Sequence, residues 1–270
     1  MAEALVRHPA SLRRPAVAAG YCWRGLAIAF CFALFGIGSI ALGTIAVPLG
    51  ALASRDPALR LRRVRSAIGA ALRFFIVVLR RSGLMTYDVE GLENIVAGRS
   101  YVIVANHPTL LDAVFLLAQF PMADCVIKEA MARNPFTRRL ARAADYIPNS
   151  DPVALLESAV ARLKAGRSLI LFPEGTRTEP GRPLRFKAGA AAIALRSGRD
   201  CLPVVIRGDP PALGKSDRWY HIPPRRVHFS LSVHAPMSPV RGLDAAQRGA
   251  HRSFNRRLEA WFAARLGGSR

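Results

Sequence analysis

Asn106-His107-Pro108-Thr109-Leu110-Leu111-Asp112 sets an imidazole and a carboxylate five residues apart, directly after the apolar run 101–105. These two groups together can make a base. If the carboxylate takes the hydrogen bond from one ring nitrogen, the other nitrogen is left to accept a proton. The spacing restricts how they meet. On a regular helix, residues five apart lie about 140° around the axis and about 7.5 Å along it, so they do not share a helical face. They come together when His107 occupies a turn and Asp112 the first turn of the next helix, with Pro108 limiting the backbone between them. For an isolated pair, a helix-capping histidine and a first-turn acid would be the plainer reading.

A second block changes the weighting. Leu171-Phe172-Pro173-Glu174-Gly175-Thr176-Arg177 also closes an apolar run, 168–172. Gly175 permits close backbone approach to a ligand, Thr176 offers a hydroxyl, and Arg177 can grip phosphate or carboxylate through two parallel hydrogen bonds. Glu174 does not itself favour an anion; it is expected to orient Arg177 or a substrate hydroxyl. Pro173 ends the strand.

Asn-His-Pro-x-x-x-Asp followed by Phe-Pro-Glu-Gly-Thr-Arg resembles the glycerolipid acyltransferase family typified by bacterial 1-acylglycerol-3-phosphate acyltransferases. The resemblance implies that His107 and Asp112 are catalytic and that Glu174, Gly175, Thr176 and Arg177 bind the acceptor. Phe186-Lys187-Ala188-Gly189 resembles the family's lysine-containing segment, which implies that Lys187 meets phosphates of donor or acceptor. Leu202-Pro203-Val204-Val205-Ile206 resembles a fourth block, expected to line an acyl channel. The resemblance covers roughly residues 85–235. It departs from the family at Asp145-Tyr146-Ile147-Pro148-Asn149-Ser150-Asp151, where an arginine that helps hold the acceptor phosphate is missing; Arg138, Arg139 or Arg142 would have to replace it. This stretch, with residues 178–186 and Trp219-Tyr220, also looks like a subgroup associated with bacterial clusters making polyene pigments and other specialised lipids.

The elements that must carry these blocks alternate in type. Short β-prone runs at 85–89, 101–105, 125–128, 168–172, 202–206 and 228–234 are separated by helical patterns at 112–119, 135–144, 152–164 and 188–196. Such alternation predicts an α/β domain with a mostly parallel central sheet flanked by helices. Asp151-Pro152 opens one helix and Gly166 closes it. Residues 245–266 read as a terminal amphipathic helix. Ligands of open α/β sheets gather at the carboxyl ends of the strands, which both motifs follow.

Three segments are expected: a basic leader at 1–24, membrane-embedded and interfacial helices at 25–82, and the acyltransferase domain at 83–270. The 30 residues from 25 to 54 contain no charge, more than the roughly 20 that span a bilayer core, and too many for a secretory signal. Basic residues flank both sides, so the charge bias gives no clean orientation. Gly36, Gly38, Gly43, Pro48 and Gly50 leave open either one tilted span or a re-entrant hairpin with both flanks cytoplasmic. Residues 66–79, with Arg73 in the middle, read as an interfacial helix or an ordinary core helix.

The formal charge of +21 would ordinarily raise nucleic acid as a partner. Only four of the 39 basic residues are lysine, and they are spread along the chain, a skew that reflects coding bias more than anion recognition. An anionic membrane surface and a polyanionic acyl donor are the expected partners, with no nucleic acid. Cys22, Cys31, Cys125 and Cys201 form no CxxC pair, so neither a zinc site nor a disulfide framework is indicated.

The reading is therefore an O-acyltransferase of phospholipid biosynthesis at the cytoplasmic side of a bacterial inner membrane. It would use acyl-CoA or acyl carrier protein as donor substrate, a lysolipid as acceptor, and no cofactor or metal. Two rivals stand beside it. One keeps the chemistry with a lyso-ornithine lipid, glycolipid or polyene lipid as acceptor; the other is a non-catalytic, basic membrane-surface binding protein.

Overall fold

A computed structural model describes residues 13–52, 55–179, 181–239 and 249–267. Residues 1–12 of the expected leader and 245–248 of the expected terminal helix lie outside them.

Seven strands form one sheet in the order β1-β7-β6-β2-β5-β3-β4. They are β1 (Met85–Glu90), β2 (Val102–Ala105), β3 (Asp124–Ile127), β4 (Ile147–Pro148), β5 (Leu169–Leu171), β6 (Cys201–Asp209) and β7 (Val227–Val233). Every pairing is parallel except β6 with β7. The mostly parallel sheet expected from the alternation is present, and its central strands β2 and β5 are apolar throughout because both faces are covered. Along β2, Ile103 and Ala105 enter one core while Val102 and Val104 enter the other.

The first core lies under α3 (Pro57–Arg81) and α4 (Asp112–Gln119); the second lies under α7 (Pro152–Lys164), α8 (Gly189–Ser197) and α9 (Ala250–Leu266). The chain passes from β2 through α4 to β3 on one face, and from β5 through α8 to β6 on the other. Neighbouring strands β2 and β5 thus send their connections in opposite directions. That divergence opens a crevice at their carboxyl ends, the usual ligand position in such sheets.

Several boundaries differ from expectation. The helix α1 (Arg13–Ala41) already runs through residues 13–24, where alanines favour helix and Pro15 is tolerated in the first turn. A five-residue π-helix at Leu42–Ala46 joins it to α2 (Val47–Leu52). The chain therefore stays helical past Gly36, Gly38, Gly43, Pro48 and Gly50 without turning back. The return comes in α3, which starts at Pro57 rather than near residue 66, because Asp56 caps it by accepting the Ala58 N–H at 2.9 Å. α3 runs antiparallel to α1. Trp23 Nε1 donates to the Ser82 carbonyl, the rings of Phe35 and Phe75 lie 5.3 Å apart, and Leu42 and Val47 pack against Val64 and Ile68.

One face of α3 is a core face. Arg65, one of the basic residues that follow the uncharged stretch 25–54, is buried and pairs with Asp124 at 2.6 Å. Two short helices, α5 (Glu129–Arg133) and α6 (Arg138–Ala143), follow β3 where a single helix at 135–144 was expected.

Candidate active site

The loop after β2 and the loop after β5 leave the sheet side by side, since Val104 pairs with Leu171. Each carries one motif. The side chain of Asn106 fixes the exit from β2: its amide donates to the Ile206 carbonyl at 2.7 Å and accepts the Ile206 N–H at 2.8 Å, a two-way clasp onto β6. Residues 202–206 are thus a central core strand and a clamp for Asn106. All but Pro203 are at most 1% exposed, which contradicts the expectation that they line an acyl channel.

His107 occupies the turn and Asp112 begins α4, as the spacing required. His107 Nδ1 lies 2.7 Å from Asp112 Oδ2. The same oxygen accepts the Thr109 N–H at 2.8 Å, and Oδ1 accepts the Thr109 hydroxyl at 2.6 Å. The Leu111 N–H donates to Thr109 Oγ1 at 3.1 Å, so the hydroxyl hydrogen is directed to the carboxylate. Complete burial pushes the Asp112 carboxyl up, and the bonds from His107 and Thr109 oppose it by favouring the charged form. With both oxygens acting as acceptors, the shared proton belongs on Nδ1 and the Nε2 lone pair is left free. Phe172 stacks on the imidazole with centroids 4.1 Å apart and planes 18° apart, fixing the ring.

Sequence reasoning did not single out Thr109, although Thr109-Leu110-Leu111-Asp112 has the Thr-x-x-acid pattern of reciprocal helix-entry bonding. It also missed the stacking by Phe172.

Of the two roles expected of Glu174, the structure overturns one: Glu174 does not orient Arg177. Its Oε1 accepts the His107 backbone N–H at 2.8 Å, binding the second motif to the first. The Thr178 N–H in turn donates to the His107 carbonyl at 3.0 Å. Glu174 is 6% exposed, and its Oε2 has no partner among the described residues. Burial pushes its carboxyl up to about 7, with the charge of Asp112 adding to the rise and the His107 N–H opposing it.

Arg177 forms no surface ion pair among the described residues. Its Nη1 donates to the carbonyls of Leu213 and Gly214 at 2.9 and 2.8 Å. Gly175 has φ +71, a left-handed turn that suits glycine, and a β-carbon there would stand 2.9 Å from Lys187 Nζ. The space that glycine leaves is thus taken by Lys187, whose N–H also donates to the Pro173 carbonyl at 2.8 Å. Lys187 thereby joins the turn of the second motif.

An open recess of about 230 Å³ lies over this turn, lined by Glu174, Thr176 and Arg177 together with Arg182, Arg185 and Lys215. Arg182 is paired with Glu179 at 2.9 Å. Besides Arg177, the cations that line the recess are Arg182, Arg185 and Lys215. Arg138, Arg139 and Arg142 do not line the recess; Arg139 packs against Gly43 of the N-terminal helix. Among the described residues, no group of three or more His, Cys, Asp or Glu side chains is placed to hold a metal ion.

Comparison with known proteins places this geometry. The sequence profile of the family described as "Acyltransferase" matches residues 86–207. The chain is 35% identical over 114 residues to a 1-acyl-sn-glycerol-3-phosphate acyltransferase of Cocos nucifera, covering 40% of this chain and only 37% of that one. It is 28% identical over 207 residues to the enzyme of the same name from Pseudomonas aeruginosa, covering 74% and 76%. With that of Limnanthes alba it shares 26% over 237 residues, covering 85% and 81%. The crystal structure of the 1-acyl-sn-glycerophosphate acyltransferase PlsC from Thermotoga maritima superposes with a TM-score of 0.70 at 24% identity, covering 94% of this chain and 99% of that one, and so shares the fold.

Proposed function

This chain belongs to the acyltransferase family, and from that premise we propose that it moves a fatty acyl group from an acyl-CoA or acyl carrier protein thioester to the hydroxyl of a lysophospholipid such as 1-acylglycerol-3-phosphate. The observation that carries the reading is the bond from the His107 backbone N–H to Glu174, an acid that also lines the cationic recess.

In this reading His107 Nε2 removes the proton from the acceptor hydroxyl as its oxygen attacks the thioester carbonyl carbon. Asp112 holds the imidazolium that forms. The tetrahedral intermediate collapses with cleavage of the carbon–sulfur bond, and the departing thiolate takes the proton from His107. No residue of the protein is acylated, so donor and acceptor bind together. Glu174 Oε2 is available to the acceptor's hydroxyl, and Arg177 with Arg185 and Lys215 offers an anionic headgroup several donors.

The bilayer supplies the acceptor. The stretch Gly20–Gly50 is helical over 31 residues, and 17% of its most apolar window is buried. At about 1.5 Å per residue it exceeds the thickness of a bilayer core. Soluble acyl donors in a bacterium are cytoplasmic, which supports a site on that side of the inner membrane.

The test is a panel of purified protein with radiolabelled acyl-CoA and acyl carrier protein against lysophosphatidate, lysophosphatidylethanolamine and lyso-ornithine lipid. The reading expects lysophosphatidate to be acylated. The lack of arginine at 145–151 favours the second reading, in which lyso-ornithine lipid is preferred. No transfer to any acceptor would leave the membrane-surface binding protein.

A further inference from the structure

Residues 210–226, which join β6 to β7, lie outside the span matched by the family profile yet touch both motifs. The Leu213 carbonyl accepts from Arg177 Nη1 at 2.9 Å and from the Leu110 N–H at 3.0 Å, so one peptide oxygen is shared between the helix-entry turn of the base and the guanidinium. Gly214 adds its own carbonyl to the same Nη1. Both hydrogens of Nη1 are thereby used, which leaves the Nε–Nη2 edge for two parallel bonds to a phosphate. The turn that presents these carbonyls is locally fixed. Leu213 has φ +54, a left-handed conformation that residues with a β-carbon disfavour, and Asp217 Oδ2 accepts the Gly214 N–H at 2.8 Å.

The other half of the segment grips α1. The Trp219 ring lies 5.4 Å from that of Phe32, Arg24 Nη1 donates to the Pro223 carbonyl at 2.8 Å, and Ile222 approaches Gly25 closely enough that a β-carbon there would stand 3.1 Å from it.

We propose that residues 210–226 are a strap that positions Arg177 for the anionic headgroup of the acceptor. Asp217 is the positioning residue at its active-site end, and the contact of Trp219 with Phe32 fixes its other end to the N-terminal helix. The helix is then part of acceptor recognition as well as an apolar anchor. The proposal rests on the reading of Arg177 as a headgroup ligand.

The experiment is equilibrium binding of radiolabelled lysophosphatidate to the full chain in nonionic detergent micelles, which requires no donor. Loss of one hydrogen bond predicts that Asp217→Ala weakens binding about fivefold. Asp217→Asn, whose side-chain oxygen still accepts the Gly214 N–H, stays within about twofold of the parent. Phe32→Ala, on a separate element, weakens binding about threefold, in line with one lost aromatic contact. Lysophosphatidylcholine, whose phosphate carries a choline, responds less to each change. If Arg177→Ala weakens lysophosphatidate binding while Asp217→Ala or Phe32→Ala binds like the parent, the strap is overturned. If Arg177→Ala itself binds like the parent, the headgroup reading of Arg177 fails, and the strap with it.

Discussion

The carboxylate of Glu174 accepts the backbone N–H of His107 at 2.8 Å, so the acid of the second motif holds the peptide of the base in the first. An acid placed here adds negative charge beside a recess lined by Arg177, Arg182, Arg185 and Lys215. Its value lies in fixing the base, and its cost in burying a carboxylate with one unpaired oxygen.

That cost has a pH signature. The Glu174 carboxyl is pushed up to about 7 from an ordinary value near 4.5. Between these values the unfolded chain has lost the proton that the folded chain keeps, so stability falls as pH rises through this window. The penalty is complete above about pH 7 and amounts to no more than about 3 kcal/mol. Glu174→Gln retains an oxygen for the His107 N–H and has nothing to titrate. Thermal unfolding of parent and variant should coincide near pH 4 and diverge by pH 8, with the variant the more stable. Parallel pH profiles would show that Glu174 ionises in the folded protein as it does in the unfolded chain.

Removal of the dyad should separate chemistry from folding. His107→Ala is expected to abolish transfer with membrane binding intact. Asp112→Asn should lower kcat by about 100-fold or more, because an amide can hold the ring in the wrong tautomer. Near-normal turnover by His107→Ala would remove this imidazole from the mechanism.

Thr109 tests how far the Asp112 oxygens need their donors. Thr109→Val removes the hydroxyl that meets Oδ1 at 2.6 Å and keeps the N–H that meets Oδ2. Loss of one hydrogen bond to a buried carboxylate predicts about 1.5 to 3 kcal/mol less stability. The same loss removes a bond that favours the charged form of Asp112, so its carboxyl should be pushed up further and kcat/KM should fall at a higher pH on the acidic side. An unchanged profile would mean that Thr109 serves the turn alone.

How much of this was legible in the chain follows from how local each feature is. The strands β2 and β5 and the first six residues of β6 are continuous apolar runs because both faces are buried, and the helices at Asp112–Gln119 and Pro152–Lys164 carry their start signals in sequence. His107 and Asp112 could be paired because five residues of backbone determine their meeting. The partner of Glu174 is 67 residues away. The carbonyls that hold Arg177 belong to residues 36 and 37 positions along, and a carbonyl leaves no mark in side-chain identity. β4, at two residues, and α5, at five, are too short for periodicity to show. In sequence a buried arginine and a flanking one look the same until the acid that pairs with it is known, so nothing marks Arg65 as a core residue.

That acid supplies the last prediction. Asp124, fully buried at the start of β3, accepts at Oδ1 from Arg65 at 2.6 Å, from Arg162 at 3.0 Å and from Arg167; the latter two also reach Asp145. Arg65 donates further to the carbonyls of Met122 and Ala144, so one carboxylate ties α3, and with it the N-terminal helix pair, to the sheet. The cluster lies at the amino end of β3, opposite the strand ends that carry both motifs. Asp124→Asn leaves three arginines facing one remaining carboxylate and should cost about 3 to 5 kcal/mol, the usual penalty for stranding buried charge. Arg65→Met removes charge and keeps apolar volume, so its cost should be the smaller of the two. Chemical denaturation of both variants measures the order. At temperatures where each remains folded, acceptor and donor KM should match the parent, and a selective rise in either would place this cluster in contact with the site.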